Sequence, residues 1–100
     1  MSATVFEAKL IEWLENPEQL RDEGCDPPTR EALESALRWL RALANQEIDA
    51  KVWLVPTGDG GVTFSGTPIK PLSWSLEFDE MGKGEYVVFL RGKIIGRSFL

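Results

Sequence analysis

Residues 51–64 read Lys51-Val-Trp-Leu-Val-Pro-Thr-Gly-Asp-Gly-Gly-Val-Thr-Phe64, and this stretch decides the fold. Two apolar segments flank a turn that contains Asp-Gly and Gly-Gly. Glycine adopts positive φ without a Cβ clash, so such turns between apolar segments are typical of a β-hairpin. The sequence therefore predicts one strand over Lys51–Pro56 and a second strand from Val62, joined by a tight turn at Thr57–Gly61.

Three further strands are predicted after this hairpin. A loop marked by prolines covers Gly66–Pro71, and residues 72–79 then alternate apolar and polar side chains. Such alternation indicates a strand with one buried and one solvated face. After a turn at Glu80–Gly84, a strand runs back over Glu85–Arg91. A second turn at Arg91-Gly92-Lys93 leads into a short fifth strand.

Two helices are predicted before the sheet. Residues 4–15 repeat apolar side chains at helical spacing, and Asn16-Pro17 predicts a break, followed by a helical segment to about Glu23. The strongest helical pattern covers Thr29–Asn45. Asp26 or Thr29 caps this helix, since either side chain can accept hydrogen bonds from free backbone N–H groups.

The order of these elements predicts an α+β fold. Two N-terminal helices and a short helical turn pack on one face of a four- to five-stranded antiparallel meander, because short connections favour pairing of consecutive strands. The length of 100 residues is close to the commonest domain size, so we expect one domain over residues 1–100.

Charge and cysteine content limit the class of function. The formal net charge of −5 gives no long-range attraction to nucleic acid or to anionic membranes. Cys25 is the only cysteine, so no internal disulfide can form and a reducing compartment is expected. The first residues lack the pattern of a signal peptide, and no apolar run is long enough to cross a bilayer. We therefore expect a cytoplasmic protein.

The sequence offers few residues for catalysis or cofactor binding. It contains no histidine, which is the commonest general base and transition-metal ligand. The Gly58–Gly61 turn lacks the phosphate-binding pattern, and the carboxylates of Glu77, Asp79, Glu80 and Glu85 lack the spacing of a calcium loop. We expect no enzyme, no cofactor, no metal site and no small-molecule substrate. A carboxylate enzyme of unknown substrate is the third alternative.

Two of the predicted strands are apolar on both faces. Helices that cover one face of the sheet leave the other face to residues such as Trp53 and Val55, and to a set from the strand at 85–91. Large apolar residues exposed side by side mark an interface. We assign this interface to Trp53, Val55, Val87 and Phe89. The alternative is that the Gly66–Pro71 loop or the C-terminal tail covers them.

The C-terminal third is locally basic. Arg91, Lys93 and Arg97 are interleaved with aromatic residues, a combination that single-stranded nucleic-acid sites use. Basic residues also keep sheet edges soluble, and the acidic net charge favours that interpretation. A nucleic-acid-binding domain is therefore the alternative function.

The segment Pro27-Pro28-Thr29-Arg30-Glu31-Ala32 opens the long helix, and Pro56-Thr-Gly-Asp-Gly-Gly-Val62 opens the second strand. Together they resemble a group of short bacterial proteins of unassigned activity, over about residues 26–78. In that group the strand after the glycines usually ends at a tryptophan, where this chain has Phe64. The resemblance implies an α+β fold and an antitoxin-like role as the small partner in a two-gene pair. It transfers no functional residue.

These observations together predict a non-enzymatic protein-interaction module. It either self-associates as a homodimer or serves as the small acidic partner of another protein, and the antitoxin-like inhibitor is the sharper form of the second role. Binding to nucleic acid is the alternative.

Overall fold

The computed structural model describes residues 3–20, 26–42 and 52–100. The elements in these ranges are α1 (Ala3–Glu15), a 3₁₀ turn (Pro17–Leu20), α2 (Arg30–Ala42), β1 (Val52–Pro56), β2 (Val62–Ile69), β3 (Leu72–Phe78), β4 (Gly84–Leu90) and β5 (Lys93–Phe99). The strands form one antiparallel sheet in the order β1-β2-β3-β4-β5. The predicted α+β fold, with helices before a five-stranded meander, is confirmed.

The α2 helix begins at a threonine cap. The Thr29 hydroxyl accepts a hydrogen bond from the Ala32 N–H at 3.2 Å and donates one to the Glu80 carbonyl at 2.6 Å. Asp26, the other candidate cap, forms an isolated bridge with Asp59. Thr29 therefore satisfies a free N–H of the first helical turn and also ties the helix to the β3–β4 turn.

The α1 helix ends at the predicted break. The Gln19 side chain reaches back and donates to the Asn16 carbonyl at 3.0 Å, so it satisfies an acceptor at the end of α1. The rest of the helical segment predicted to reach Glu23 lies outside the described residues. So do Cys25, the predicted end of the second helix at residues 43–45, and Lys51 at the start of the first strand.

One face of the sheet, which we call the front face, packs against the helices. Phe64 of β2 is fully buried at its centre. Its ring centroid lies 6.0 Å from that of Phe6 in α1 and 5.0 Å from that of Trp39 in α2. This aromatic cluster joins both helices to the sheet and, by its size, supplies much of the apolar burial that stabilises the fold.

Strand register assigns the remaining side chains to the front or to the opposite, rear face. Residues paired directly across antiparallel strands lie on the same face. Phe64 pairs with Leu76, and Leu76 pairs with Tyr86, so these residues belong to the front. Their neighbours along each strand belong to the rear.

The second strand is longer than the sequence predicts. Residues 66–69, assigned to a loop because of Pro68 and Pro71, continue β2 as far as Ile69. The register between β2 and β3 is interrupted between Gly66 and Ile69. Proline cannot donate to a ladder, and a register interruption is where a strand accommodates it.

Candidate protein-interaction surface

All four residues assigned to an interface lie on the rear face, away from the helices. Trp53 pairs with Ser65, Ser65 with Ser75, and Ser75 with Val87, so one row crosses four strands. Strands are about 4.8 Å apart, which puts roughly 14 Å between the β1 and β4 members of this row. The structure therefore places Trp53 and Val87 on one face but separates them by polar side chains.

The exposure of the four residues differs between β1 and β4. Trp53 is 57% exposed and Val55 is 46% exposed, so no described segment of the chain covers the rear of β1. Val87 is only 7% exposed, so its predicted exposure on this face is wrong, and Phe89 is half-buried. The polar stripe between the two pairs consists of hydroxyl and carboxylate side chains, namely Thr63, Ser65, Ser73, Ser75 and Glu77.

The larger apolar surface lies at the other end of the rear face. Phe89 pairs with Ile94, and the residue opposite Phe99 is Glu85, so Ile94 and Phe99 join the same face as Val87. Ile94 is 52% exposed and Phe99 is 74% exposed. We call the four residues Val87, Phe89, Ile94 and Phe99 the hairpin patch.

The front of the same hairpin differs from its rear. Tyr86 and Leu90 of β4 are partly exposed there, and α2 packs mainly against β2 and β3. Their neighbours on β5, however, are Lys93 and Ser98. On the front, β4 is therefore flanked by polar residues on β5 and by Leu72 and Trp74 on β3, whereas the hairpin patch spans β4 and β5.

A shallow cavity of about 220 Å³ borders the hairpin patch. Val87 and Phe99 supply apolar walls, and Glu77, Asp79 and Glu85 supply carboxylates. Partial burial raises the pKa of the Glu77 carboxyl, and the nearby charges of Asp59, Glu85 and Asp79 raise it further. Three carboxylates and one cation, Lys83, line this cavity, so this edge of the hairpin patch is acidic overall.

The three basic residues of the alternative nucleic-acid site do not share one surface. Lys93 pairs with Leu90 on the front, and Arg97 pairs with Val87 on the rear. The Arg97 Nε lies 2.9 Å from Glu85 Oε1, so a carboxylate already neutralises this guanidinium. Arg91 lies in the β4–β5 turn with a positive φ of 52°.

The described residues offer few other features that could support metal binding or membrane insertion. Within them, no group of three or more cysteine, aspartate or glutamate side chains is arranged to hold a metal ion. None of the described helices combines the length and the apolarity needed to cross a membrane.

Two members of the hairpin patch, Ile94 and Phe99, were missed in the sequence analysis. They are five residues apart, so simple alternation places them on opposite faces of a strand. The register of β4 with β5 shifts between Val88 and Phe89 and leaves Ile95 as an extra residue. Such a bulge reverses the alternation, and only the glycine at position 96 hints at it in the sequence.

Comparison of the chain with protein-family models, with curated protein sequences and with solved structures gave no match. The geometry of the sheet surfaces is therefore the basis for a functional proposal.

Proposed function

We propose that the protein is a non-enzymatic interaction module that self-associates through the rear of its β4–β5 hairpin. One observation carries the proposal. Ten large hydrophobic side chains are exposed among the described residues, and two of them, Ile94 and Phe99, lie on the rear of the hairpin together with the half-buried Phe89. Exposed apolar side chains that share one face mark interaction sites in soluble proteins.

The rear of the hairpin suits a partner protein better than the front does. Its four apolar side chains come from two adjacent strands, and serines and carboxylates border them. An apolar centre with a polar rim is the usual anatomy of a protein–protein interface. The acidic cavity at its edge adds charge that a basic group of the partner can meet.

Charge distribution supports a second copy as the partner. Residues 84–100 contain Arg91, Lys93 and Arg97 against Glu85 and carry +2, whereas the full chain carries −5, so residues 1–83 carry −7. On the rear face, this contrast is represented by Arg97 on β5 and Glu77 on β3, which carry opposite charges. Complementary surfaces of this kind favour encounter and fix orientation.

The same charge of −7 favours one other role, that of a small acidic partner of a basic protein. In that role, which is the antitoxin-like one, the hairpin patch binds a different protein and the isolated chain is monomeric. Measurement of the molar mass in solution separates the two roles.

The test is size-exclusion chromatography with light scattering at several protein concentrations. We expect the molar mass to rise from monomer to dimer as the concentration increases. Ile94→Glu adds a charge to the rear of the hairpin and should keep the protein monomeric. Leu90→Glu is the matched control, because it adds the same charge to a similarly exposed residue on the front.

A wild-type protein that stays monomeric at all concentrations contradicts self-association. Equal loss of dimer in both glutamate variants contradicts the assignment to the rear face.

A further inference from the structure

The two edges of the sheet are poorly suited to pairing with another strand. The described part of β1, Val52–Pro56, ends at a proline. β5 carries a bulge at Ile95 and two cations, Lys93 and Arg97. Proline, bulges and basic side chains are the features by which edge strands avoid association. A second copy is therefore more readily accommodated on a face of the sheet than along an edge.

We infer that two copies pack rear face to rear face about a twofold axis that runs along β4, so that Arg97 of each copy pairs with Glu77 of the other. This inference rests on the proposed self-association and specifies its geometry. It commits to one occupant of the hairpin patch, namely the rear face of β3 and β4 of a second copy.

An axis along β4 is the one that sets β5, which carries Arg97, against β3 of the partner, which carries Glu77. On the rear face, β4 contributes Val87 and Phe89, and β5 contributes Ile94 and Phe99. A twofold axis along β4 puts Phe89 of one copy against Phe89 of the other, whereas Val87, at 7% exposure, adds little contact area. It also puts β5 of each copy against β3 of its partner. Phe89 then lies at the centre, and Ile94 and Phe99 lie against the partner's β3, in the rows of Ser73 and Glu77.

The same axis brings complementary charges together. Arg97 lies in the row of Val87 and Ser75, and Glu77 is the next rear-face residue along β3. Face-to-face sheets are about 10 Å apart, a distance that an arginine and a glutamate span together. Arg97 then binds Glu85 of its own chain and Glu77 of the other, since a guanidinium has five N–H donors.

A cation from a second copy is more favourable for Glu77 than for Glu85. It forms no ion pair within the described residues, and the negative charges around it are those of Asp59, Asp79 and Glu85. A cation from a second copy relieves this repulsion. Glu85 lies on β4 and therefore faces Glu85 of the other copy, and Arg97 at 2.9 Å offsets its charge only in part, because Arg97 also binds Glu77.

The small area of the rear face of β3, β4 and β5 limits the strength of the dimer. Three strands of seven residues cover roughly 300 Å² in projection. A stable interface of standard size buries about 800 Å² on each partner. We therefore expect a reversible dimer whose population depends on concentration, and the charge pairs then have a measurable effect on it.

A charge exchange tests the geometry. Glu77→Lys places a cation opposite Arg97 of the other copy, and Arg97→Glu places an anion opposite Glu77. Each variant alone should raise the dimer dissociation constant roughly ten-fold or more, because like charges oppose each other twice per dimer. In a one-to-one mixture, the heterodimer regains both pairs of opposite charge. Native mass spectrometry distinguishes it from the homodimers by mass.

Arg30→Glu and Glu34→Lys serve as the matched control. Arg30 and Glu34 also form an exposed ion pair, with 2.6 Å between Nε and Oε1, but they lie on α2. Neither change should affect dimerisation. Circular dichroism of each variant before mixing establishes that it is folded, and Arg97→Gln replaces Arg97→Glu if the glutamate variant unfolds. In that case Arg97→Gln alone should weaken the dimer while Glu34→Gln does not.

The outcomes separate this inference from the proposed function. Preferential heterodimer formation supports the geometry. If the wild type dimerises and Ile94→Glu prevents it, but the mixture gains no heterodimer, the Arg97–Glu77 geometry is wrong and self-association stands. With the glutamine variant, unchanged dimerisation likewise overturns the geometry. A monomeric wild type overturns both.

Discussion

The indole ring of Trp74 lies directly against its cross-strand neighbour Gly66. A Cβ added at Gly66 would stand 2.8 Å from the indole Cε2 and Nε1 atoms, which is closer than real Cβ atoms come to other heavy atoms. The Trp74 ring centroid is also 6.0 Å from that of Tyr86 on β4. Gly66 therefore makes room for an aromatic side chain that links β2, β3 and β4 on the front face.

This relationship predicts a large effect of a single methyl group. Gly66→Ala should lower the free energy of unfolding by about 1–3 kcal/mol, because the rigid indole must shift to admit the new Cβ. Gly96→Ala is the control, since Gly96 also lies on the front of the sheet and a Cβ there would have no atom within 4 Å. Its effect should stay within about 0.5 kcal/mol. Chemical denaturation of both variants is the measurement, and equal effects would argue against the contact.

Alanine variants of a second pair of glycines distinguish the cost of backbone strain from the cost of a clash with α2. Gly82 and Gly92 have positive φ angles of 83° and 80°. A Cβ at Gly82 would lie 2.8 Å from the Glu31 carbonyl oxygen, whereas a Cβ at Gly92 would meet open space. Both alanine variants carry the conformational cost of about 1–2 kcal/mol. We expect Gly82→Ala to lose about 1–3 kcal/mol more in thermal or urea unfolding. A smaller loss than in Gly92→Ala would show that the turn does not pack against α2.

The two hydrogen bonds of the Thr29 hydroxyl give a third prediction. Thr29→Val keeps the shape of the side chain but leaves the Ala32 N–H and the Glu80 carbonyl without this partner. The free energy of unfolding should fall by about 1–2 kcal/mol. Thr29→Ser keeps the hydroxyl and should stay within about 0.5 kcal/mol of the wild type. Urea titration measures both, and a serine variant as unstable as the valine variant would contradict the capping role.

The raised pKa of Glu77 gives a pH dependence with a defined sign. The folded protein binds the Glu77 proton more tightly than the unfolded chain does, because burial and the charges of Asp59, Glu85 and Asp79 disfavour the carboxylate. The stabilising contribution is thus complete below the usual pKa of about 4.5 and is lost as the pH rises through the raised pKa.

Glu77→Gln removes this titration. The free energy of unfolding of the glutamine variant, relative to that of the wild type, should therefore increase as the pH rises from 4.5 to neutrality. Parallel unfolding curves at several pH values, recorded at concentrations where the protein is monomeric, provide the measurement. A difference that is independent of pH, or one that decreases, would contradict the raised pKa. The cations nearest this carboxylate cluster are Arg97, paired with Glu85, and Lys83 at the cavity wall.

The ion pair between Arg97 and Glu85 should contribute little to the stability of the monomer. The Arg97 side chain is about half exposed, and exposed ion pairs contribute at most about 1 kcal/mol. Arg97→Gln should therefore change the midpoint of urea unfolding only slightly, and less at high salt. A loss well above 1 kcal/mol would assign Arg97 a structural role within the hairpin and would require a different residue for the charge exchange.

Much of the fold could be predicted from local sequence patterns. The Asp59-Gly60-Gly61 turn fixes the first hairpin, and the clean alternation of residues 72–78 fixes the third strand, because turn geometry and side-chain alternation are local properties. The break after α1 at Asn16 follows from Pro17 in the same way. The sequence also identified Trp53 and Val55 as residues on the face away from the helices.

Other features depend on contacts between distant segments. Thr29 rather than Asp26 caps α2 because the β3–β4 turn and the β1–β2 turn approach residues 26–29, which no local pattern reveals. The prolines of residues 66–71 suggested a loop, yet β2 extends to Ile69 because its pairing tolerates an interruption there.

What the sequence determined by itself is the order of helices and strands and the presence of apolar residues on both sides of β1 and β4. The tertiary structure decided which of these residues share a surface. The bulge at Ile95 brings Ile94 and Phe99 to the side of Val87, and the polar rear faces of β2 and β3 separate that group from Trp53. Alternation within a strand is local, but a bulge and the position of a strand in the sheet arise only when the whole sheet is paired.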